Sequence, residues 1–287
     1  MADARTRPVR EDVGVTRYLV VPQWQGSPSS RAMQLIDGAM AIAGDLPRGA
    51  TTILEVPMEA GEALGTGIHR LSSLQRIRDQ IAAALEGHDE PVLTVGGDCG
   101  VALAPIAHVA ARTSTLAVVW LDAHPDLHTP DDSPSGAFSG MVLRAVLGDG
   151  DPGLRLAPGA VDPARVILAA AREYDDAEVT SVDGLGIRSL SVADLGDPGA
   201  LAAAVAQTGA EAVYIHIDID ALDPAEVAGN AHPAPFGVSV AEVTAAIAAV
   251  RAAVPLAGSS IAGYSPASAT HAHDDLGAIL RLVGSLA

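Results

Sequence analysis

The sequence predicts an α/β fold, a three-layer α/β/α sandwich around a mainly parallel sheet. Three observations carry this expectation. Short apolar runs without polar alternation take turns with stretches of helical periodicity, the pattern of strands covered on both faces by helices. The motifs "GGDCG", "DAHPD" and "DIDALDP" each close such an apolar run, and open parallel sheets gather ligands at the carboxyl ends of their strands. No internal repeat and no long linker divides the 287 residues. One domain is therefore expected over residues 16–287, after a loose polar segment at 1–15.

Each element has its own signal. "RYLVVPQW" (17–24) reads as a first strand, and 29–47 as a helix that Gly44 and Pro47 end. A second strand is expected at 51–57. The stretch 69–90 is a strongly amphipathic helix closed by Gly87. Strands at 91–98, 116–124 and 165–173 alternate with helices at 100–112 and 139–148. A short strand is expected at 179–187, a helix at 195–209 and a strand at 212–220. The helix at 239–254 opens with Ser239 and Glu242 at capping-box spacing. A last strand at 256–266 and a last helix at 273–286 complete the pattern; the histidines at 271 and 273 precede that helix, where Asp274 is a candidate N-cap.

Composition narrows the function. With 49% hydrophobic, 18% charged and only 3% aromatic residues, the core must be aliphatic. The net charge is −18, from 35 acids against 17 bases, all arginine. So acidic a chain is a poor binder of phosphate backbones, which argues against nucleic acid. The same balance suits a cationic or metal partner. No apolar run spans a bilayer, so no membrane association is expected. A single cysteine forms no internal disulfide, and the N-terminal stretch carries no apolar signal core, so a cytoplasmic location is expected.

Asp122, His124 and Asp126 alternate in "LDAHPD", and Asp218 and Asp220 in "HIDIDALDP". On extended backbone such residues share a face. Adjacent carboxylates repel unless a positive charge sits between them. Carboxylates with an imidazole suit divalent ions, and four carboxylates balance two of them. Asp223, before Pro224, reads as a cap.

These motifs, in order and spacing, resemble the ureohydrolase family of arginases and agmatinases, whose signatures read GGDHS, DAHxD and SxDxDxxDP. The resemblance covers roughly residues 20–285. It implies an arginase-like fold, a small-molecule substrate, a homo-oligomer (trimer or hexamer) and two Mn2+ ions. Asp122 and Asp218 would bridge the ions, Cys99 and Asp126 would complete one, and His124 and Asp220 the other. A water readied between them would attack a guanidinium carbon, with Asp126 helping to relay its proton. The implied function is hydrolysis of a C–N bond in a guanidine-like or modified amino-acid substrate, releasing urea or a urea analogue. By the same resemblance Ser135 and Asp175 contact the substrate's carboxylate and amino group. His128 stands where the family has a nearby asparagine. Asp175 alone also reads as a helix cap.

Three departures matter. Cys99 replaces a histidine, as in a branch that hydrolyses N-hydroxy-arginine. As a thiolate it would favour Zn or Fe on its side of the pair; the alternative is a buried neutral thiol. Ser139, in "SGAFSG", takes the place of the family's proton-shuttling histidine, and serine is a poor general acid. Gly263, in "IAGYSP", occupies the place of the glutamate that anchors the guanidinium. Two further readings stay open: a non-catalytic binding or assembly subunit, and a hydrolase of a neutral amide or formimino group.

Overall fold

A computed structural model describes residues 16–287, so the segment expected to be loose at 1–15 lies outside the described residues. The strands are β1 (Arg17–Val21), β2 (Thr51–Ile53), β3 (Val92–Gly96), β4 (Leu116–Leu121), β5 (Val166–Ala169), β6 (Arg188–Leu190), β7 (Ala212–Asp218) and β8 (Leu256–Ala262). The helices are α1 (Gln34–Asp45), α2 (Leu71–Leu85), α3 (Leu103–Ala110), α4 (Val142–Val146), α5 (Asp176–Leu185), α6 (Pro198–Gln207), α7 (Val240–Ala253) and α8 (Ala269–Leu286). The strands form one sheet in the order β2-β1-β3-β8-β7-β4-β5-β6, and every pair is parallel.

Alternation along each strand builds the three layers. Val119 and Leu121 of β4 join α1, α6, α7 and α8 in one core. Val118 and Trp120, pointing the other way, join α2, α3 and α4 in the second. Both faces of the sheet are thus sealed, which explains why the central strands lack polar alternation.

Local chemistry moved some boundaries. The strand expected at 179–187 is helix α5. Asp175 accepts hydrogen bonds from the amides of Ala177 and Glu178, Glu178 closes a capping box, and Gly186 ends the helix at φ 65°. These caps override the β-branched residues between them. Strand β6 follows instead at Arg188–Leu190. Helix α8 starts earlier than expected, capped by Ser268 rather than Asp274. His271 and His273 therefore sit two apart on a helix and face different directions; His271 bonds Ser268 through Nδ1 at 2.9 Å. Helix α7 begins with the expected Ser239–Glu242 box.

Candidate metal centre

The tips of β3, β4, β7 and β8 frame one cavity of about 180 Å3. At the end of β3 the chain passes close to β1. A Cβ on Gly97 would lie 1.6 Å from the carbonyl oxygen of Gln23, so only glycine fits there. Asp98 then turns inward and accepts from Gln23 Nε2 (2.7 Å), the Gly26 amide (2.8 Å) and the Gly100 amide (2.9 Å). Burial raises its pKa to about 6 despite these bonds. This fastening aims the next side chain, Cys99, into the cavity.

Asp122, His124 and Asp126 do not lie on extended strand, because β4 stops at Leu121. A turn brings them together instead. Asp122 Oδ1 accepts from the His124 amide at 2.7 Å, and Asp126 takes a left-handed backbone at φ 54°. Non-glycine residues adopt that conformation only when their surroundings impose it. On the neighbouring strand Asp218 is the last residue of β7, and a one-turn 3-10 helix, Ile219–Ala221, brings Asp220 round. Asp218 Oδ1 accepts from the Asp220 amide at 2.9 Å, and Asp220 Oδ1 from the Ala123 amide at 2.9 Å.

The resulting group is tight. Cys99 Sγ lies 2.8 Å from Asp218 Oδ2 and 3.9 Å from Asp122 Oδ2. His124 Nδ1 lies 2.9 Å from Asp220 Oδ2 and 3.4 Å from Asp122 Oδ1. Asp126 Oδ2 is buried with no hydrogen-bond partner. His124 is the only cationic side chain paired with these carboxylates among the described residues.

Electrostatics follow from that crowding. Burial, then the charge of Asp220, raises the Asp218 pKa to about 7. Burial, then Asp122, raises Asp220 to about 6. Asp122 and Asp126 shift the same way, Asp126 strongly, with burial the leading cause. Burial and three neighbouring carboxylates push the Cys99 thiol well up. Burial lowers His124, but Asp122 and Asp220 outweigh it and raise it to about 12. Four buried carboxylates with a single cationic partner fit a divalent ion, which would supply the missing positive charge. The orphaned Asp126 oxygen points to the same need. Potential metal-holding groups include Asp122–His124–Asp220 and Cys99–Asp122–His216.

The other predicted residues are distributed around this base. His128, Ser135 and Ser139 line the cavity; Asp175 does not. Asp175 caps α5 with Oδ1 and meets His128 Nε2 with Oδ2 at 3.1 Å, so it stands behind the histidine. Gly263 lines the cavity at φ 85°. A Cβ there would sit 2.1 Å from Asp218 Oδ1, so the Asp218 carboxylate fills the space any side chain at 263 would need. Asp223 accepts from the amides of Ala225 and Phe236 and acts as a turn cap.

Sequence reasoning missed Glu178, Asn230, His232 and His216. Glu178, Asn230 and His232 line the cavity. Glu178 was legible as the third residue after a capping Asp175. Asn230 and His232 come from a loop with no periodic signal. Arg172 holds that loop, donating to the carbonyls of Asp220 (2.8 Å), Ala234 (2.6 Å) and Pro235 (3.0 Å). His216 is fully buried, and burial lowers its pKa to about 3. Its signal was its place two residues before Asp218, on the same face of the strand.

Comparison with known proteins agrees with this architecture. The chain is 30% identical to an arginase of Bacillus caldovelox over 213 residues, 69% of this chain and 68% of the relative. It is 29% identical to an arginase of Staphylococcus aureus over 176 residues, which span 58% of each chain. The crystal structure of an Entamoeba histolytica arginase in complex with L-ornithine superposes with a TM-score of 0.81 at 22% identity, covering 94% of this chain and 97% of that one. No helix among the described residues is long and apolar enough to cross a membrane. The profile of the arginase family matches residues 27–286, and the chain belongs to that family.

Proposed function

We propose that this chain is a binuclear-metal hydrolase that cleaves a C–N bond of a guanidine-like or modified amino-acid substrate, releasing urea or a urea analogue. The observation that carries this reading is the convergence of Asp122, Asp126, Asp218 and Asp220 with His124 at the floor of one cavity. Asp122, Asp126, Asp218 and Asp220, with His124 and Cys99, would hold two divalent ions, Mn2+ with Zn or Fe admissible beside Cys99. Bound dications would acidify a water and polarise the scissile group.

The chain's own residues do the rest. Asp126, with one oxygen free of any hydrogen bond, is the acceptor for the water's proton. His128, backed by Asp175 at 3.1 Å, and Ser135 would orient the substrate's polar end. Ser139 lines the cavity in the place of the family's proton-shuttling histidine, and its hydroxyl is too weak an acid to protonate a leaving nitrogen readily. A leaving amine of low basicity, which needs little protonation, suits this site. A β8 carboxylate for the guanidinium is missing at Gly263, which also favours a reacting group of low charge, a neutral amide or formimino group included.

Gly263 and Ser139 equally favour a second reading, a family member that binds metal without turnover. Assay of metal-loaded protein against arginine, N-hydroxy-arginine, agmatine, guanidino acids and formimino compounds separates the two. Release of urea or its analogue from any of them supports the hydrolase; full metal occupancy with no turnover across the panel supports the binding protein.

A further inference from the structure

We propose that His216 is a metal ligand, forming with Cys99 and Asp122 a nitrogen–sulfur–oxygen site suited to zinc beneath the carboxylate floor. This rests on the metal-binding half of the function proposed above, but not on turnover. One donor atom from each of the three residues lies within 4.8 Å of the other two, and all three residues are buried.

The imidazole is prepared for that role. Its ring stacks on Trp120, with centroids 3.8 Å apart and planes at 28°. Trp120 and His216 are direct partners in the β4–β7 ladder, so the sheet register fixes this stack. On the other side His216 pairs with Ser260 of β8, and its Nδ1 lies 2.8 Å from Ser260 Oγ. A buried neutral imidazole carries one proton, and its cheapest place is the nitrogen that has a partner. Nδ1–H then donates to Ser260 Oγ, and Nε2 keeps its lone pair. That Nε2 is fully buried with no hydrogen-bond partner. Leaving such an atom unpaired is unfavourable, and coordination removes the cost.

The donor chemistry sets the ion. Thiolate and imidazole select zinc over manganese. Imidazole from His216 joins the Cys99 sulfur and the Asp122 carboxylate in a mixed donor set of the kind zinc sites use. The signature SxDxDxxDP has serine at the place of His216. The imidazole that the chain lacks at Cys99, on β3, is thus available from β7 instead.

The test is zinc X-ray absorption on metal-free full-length protein given one equivalent of Zn2+, for the wild type, His216→Gln and His124→Gln. The expected wild-type spectrum has a sulfur at about 2.3 Å and an imidazole nitrogen at about 2.0–2.1 Å. The imidazole signal should vanish in His216→Gln and persist in His124→Gln. Ser260→Ala keeps the ring but frees its orientation, and should weaken zinc binding about 10–100-fold. Imidazole that persists in His216→Gln, zinc bound through oxygens alone, or unchanged affinity in Ser260→Ala would overturn the proposal while leaving the carboxylate site standing. A wild type that takes up neither Zn2+ nor Mn2+ would overturn both.

Discussion

Substituting Gly263 by alanine should damage the centre, although alanine adds one methyl group. Gly263 sits at φ 85°, where an L-residue costs about 1–2 kcal/mol. The new Cβ would fall 2.1 Å from Asp218 Oδ1 and 2.7 Å from its Cγ. The backbone cannot easily retreat, because the Gly263 amide donates to the Gly97 carbonyl at 2.8 Å and ties β8 to β3. Asp218 must therefore move, straining its 2.9 Å bond from the Asp220 amide and its 2.8 Å contact with Cys99. Overpacking of this kind costs about 1–3 kcal/mol. The sum is about 2–5 kcal/mol, or very roughly 5–15 °C in melting temperature for a chain of this size. Calorimetry of metal-free protein reads the first effect, and Mn2+ titration should show weakened binding as Asp218 leaves its place. A variant that melts with the wild type and binds Mn2+ equally well would refute the steric argument. Gly263→Glu should fare no better, so installing the family's glutamate will not create an arginase here.

Other outcomes follow from the same geometry. Asp218 and Asp220 have folded pKa values of about 7 and about 6, above the ordinary carboxylate range. Between that range and pH 7 the folded metal-free protein holds more protons than the unfolded chain, so its stability should fall as pH rises; chemical denaturation across that window checks this, and saturating Mn2+ should abolish the fall. Because Ser139 is a poor acid, turnover should rise as the leaving amine becomes less basic, by about 10²-fold or more across a series of N-substituted guanidines; equal kcat/KM across the series counts against that role. Arg172→Ala should cost about 2–4 kcal/mol by orphaning several carbonyls, and should expose the 230–236 loop to proteolysis; an unchanged cleavage pattern argues that other contacts hold the loop.

Much of the fold was legible because both faces of the sheet are buried. Apolar runs such as "LAVVWL" and "VYIHID" had no other reading once helices flanked them. Boundaries were harder. At 179–187, β-branched residues suggested a strand, but Asp175, Glu178 and Gly186 supply both ends of a helix. The candidate site was legible as three motifs at strand ends. Its convergence was expected from strand alternation, whereas a turn at Asp122 and a left-handed Asp126 bring the side chains together. Asn230 and His232 depend on a loop that Arg172 clamps from 60 or so residues away along the chain, and no local pattern could announce them. His216 hid in a strand because a polar residue two places before an acid looked like an interruption. The substitution at Gly263 was visible in sequence; that Asp218 fills the space was not.

The most direct measurement is elemental analysis of protein equilibrated with Mn2+ and then desalted. The account predicts about two ions per chain, with occupancy lost in Asp122→Asn and Asp218→Asn while the fold survives by circular dichroism. Protein that retains no divalent ion, or retains the same amount in both variants, would contradict the claim that these strand-end acids form a metal centre.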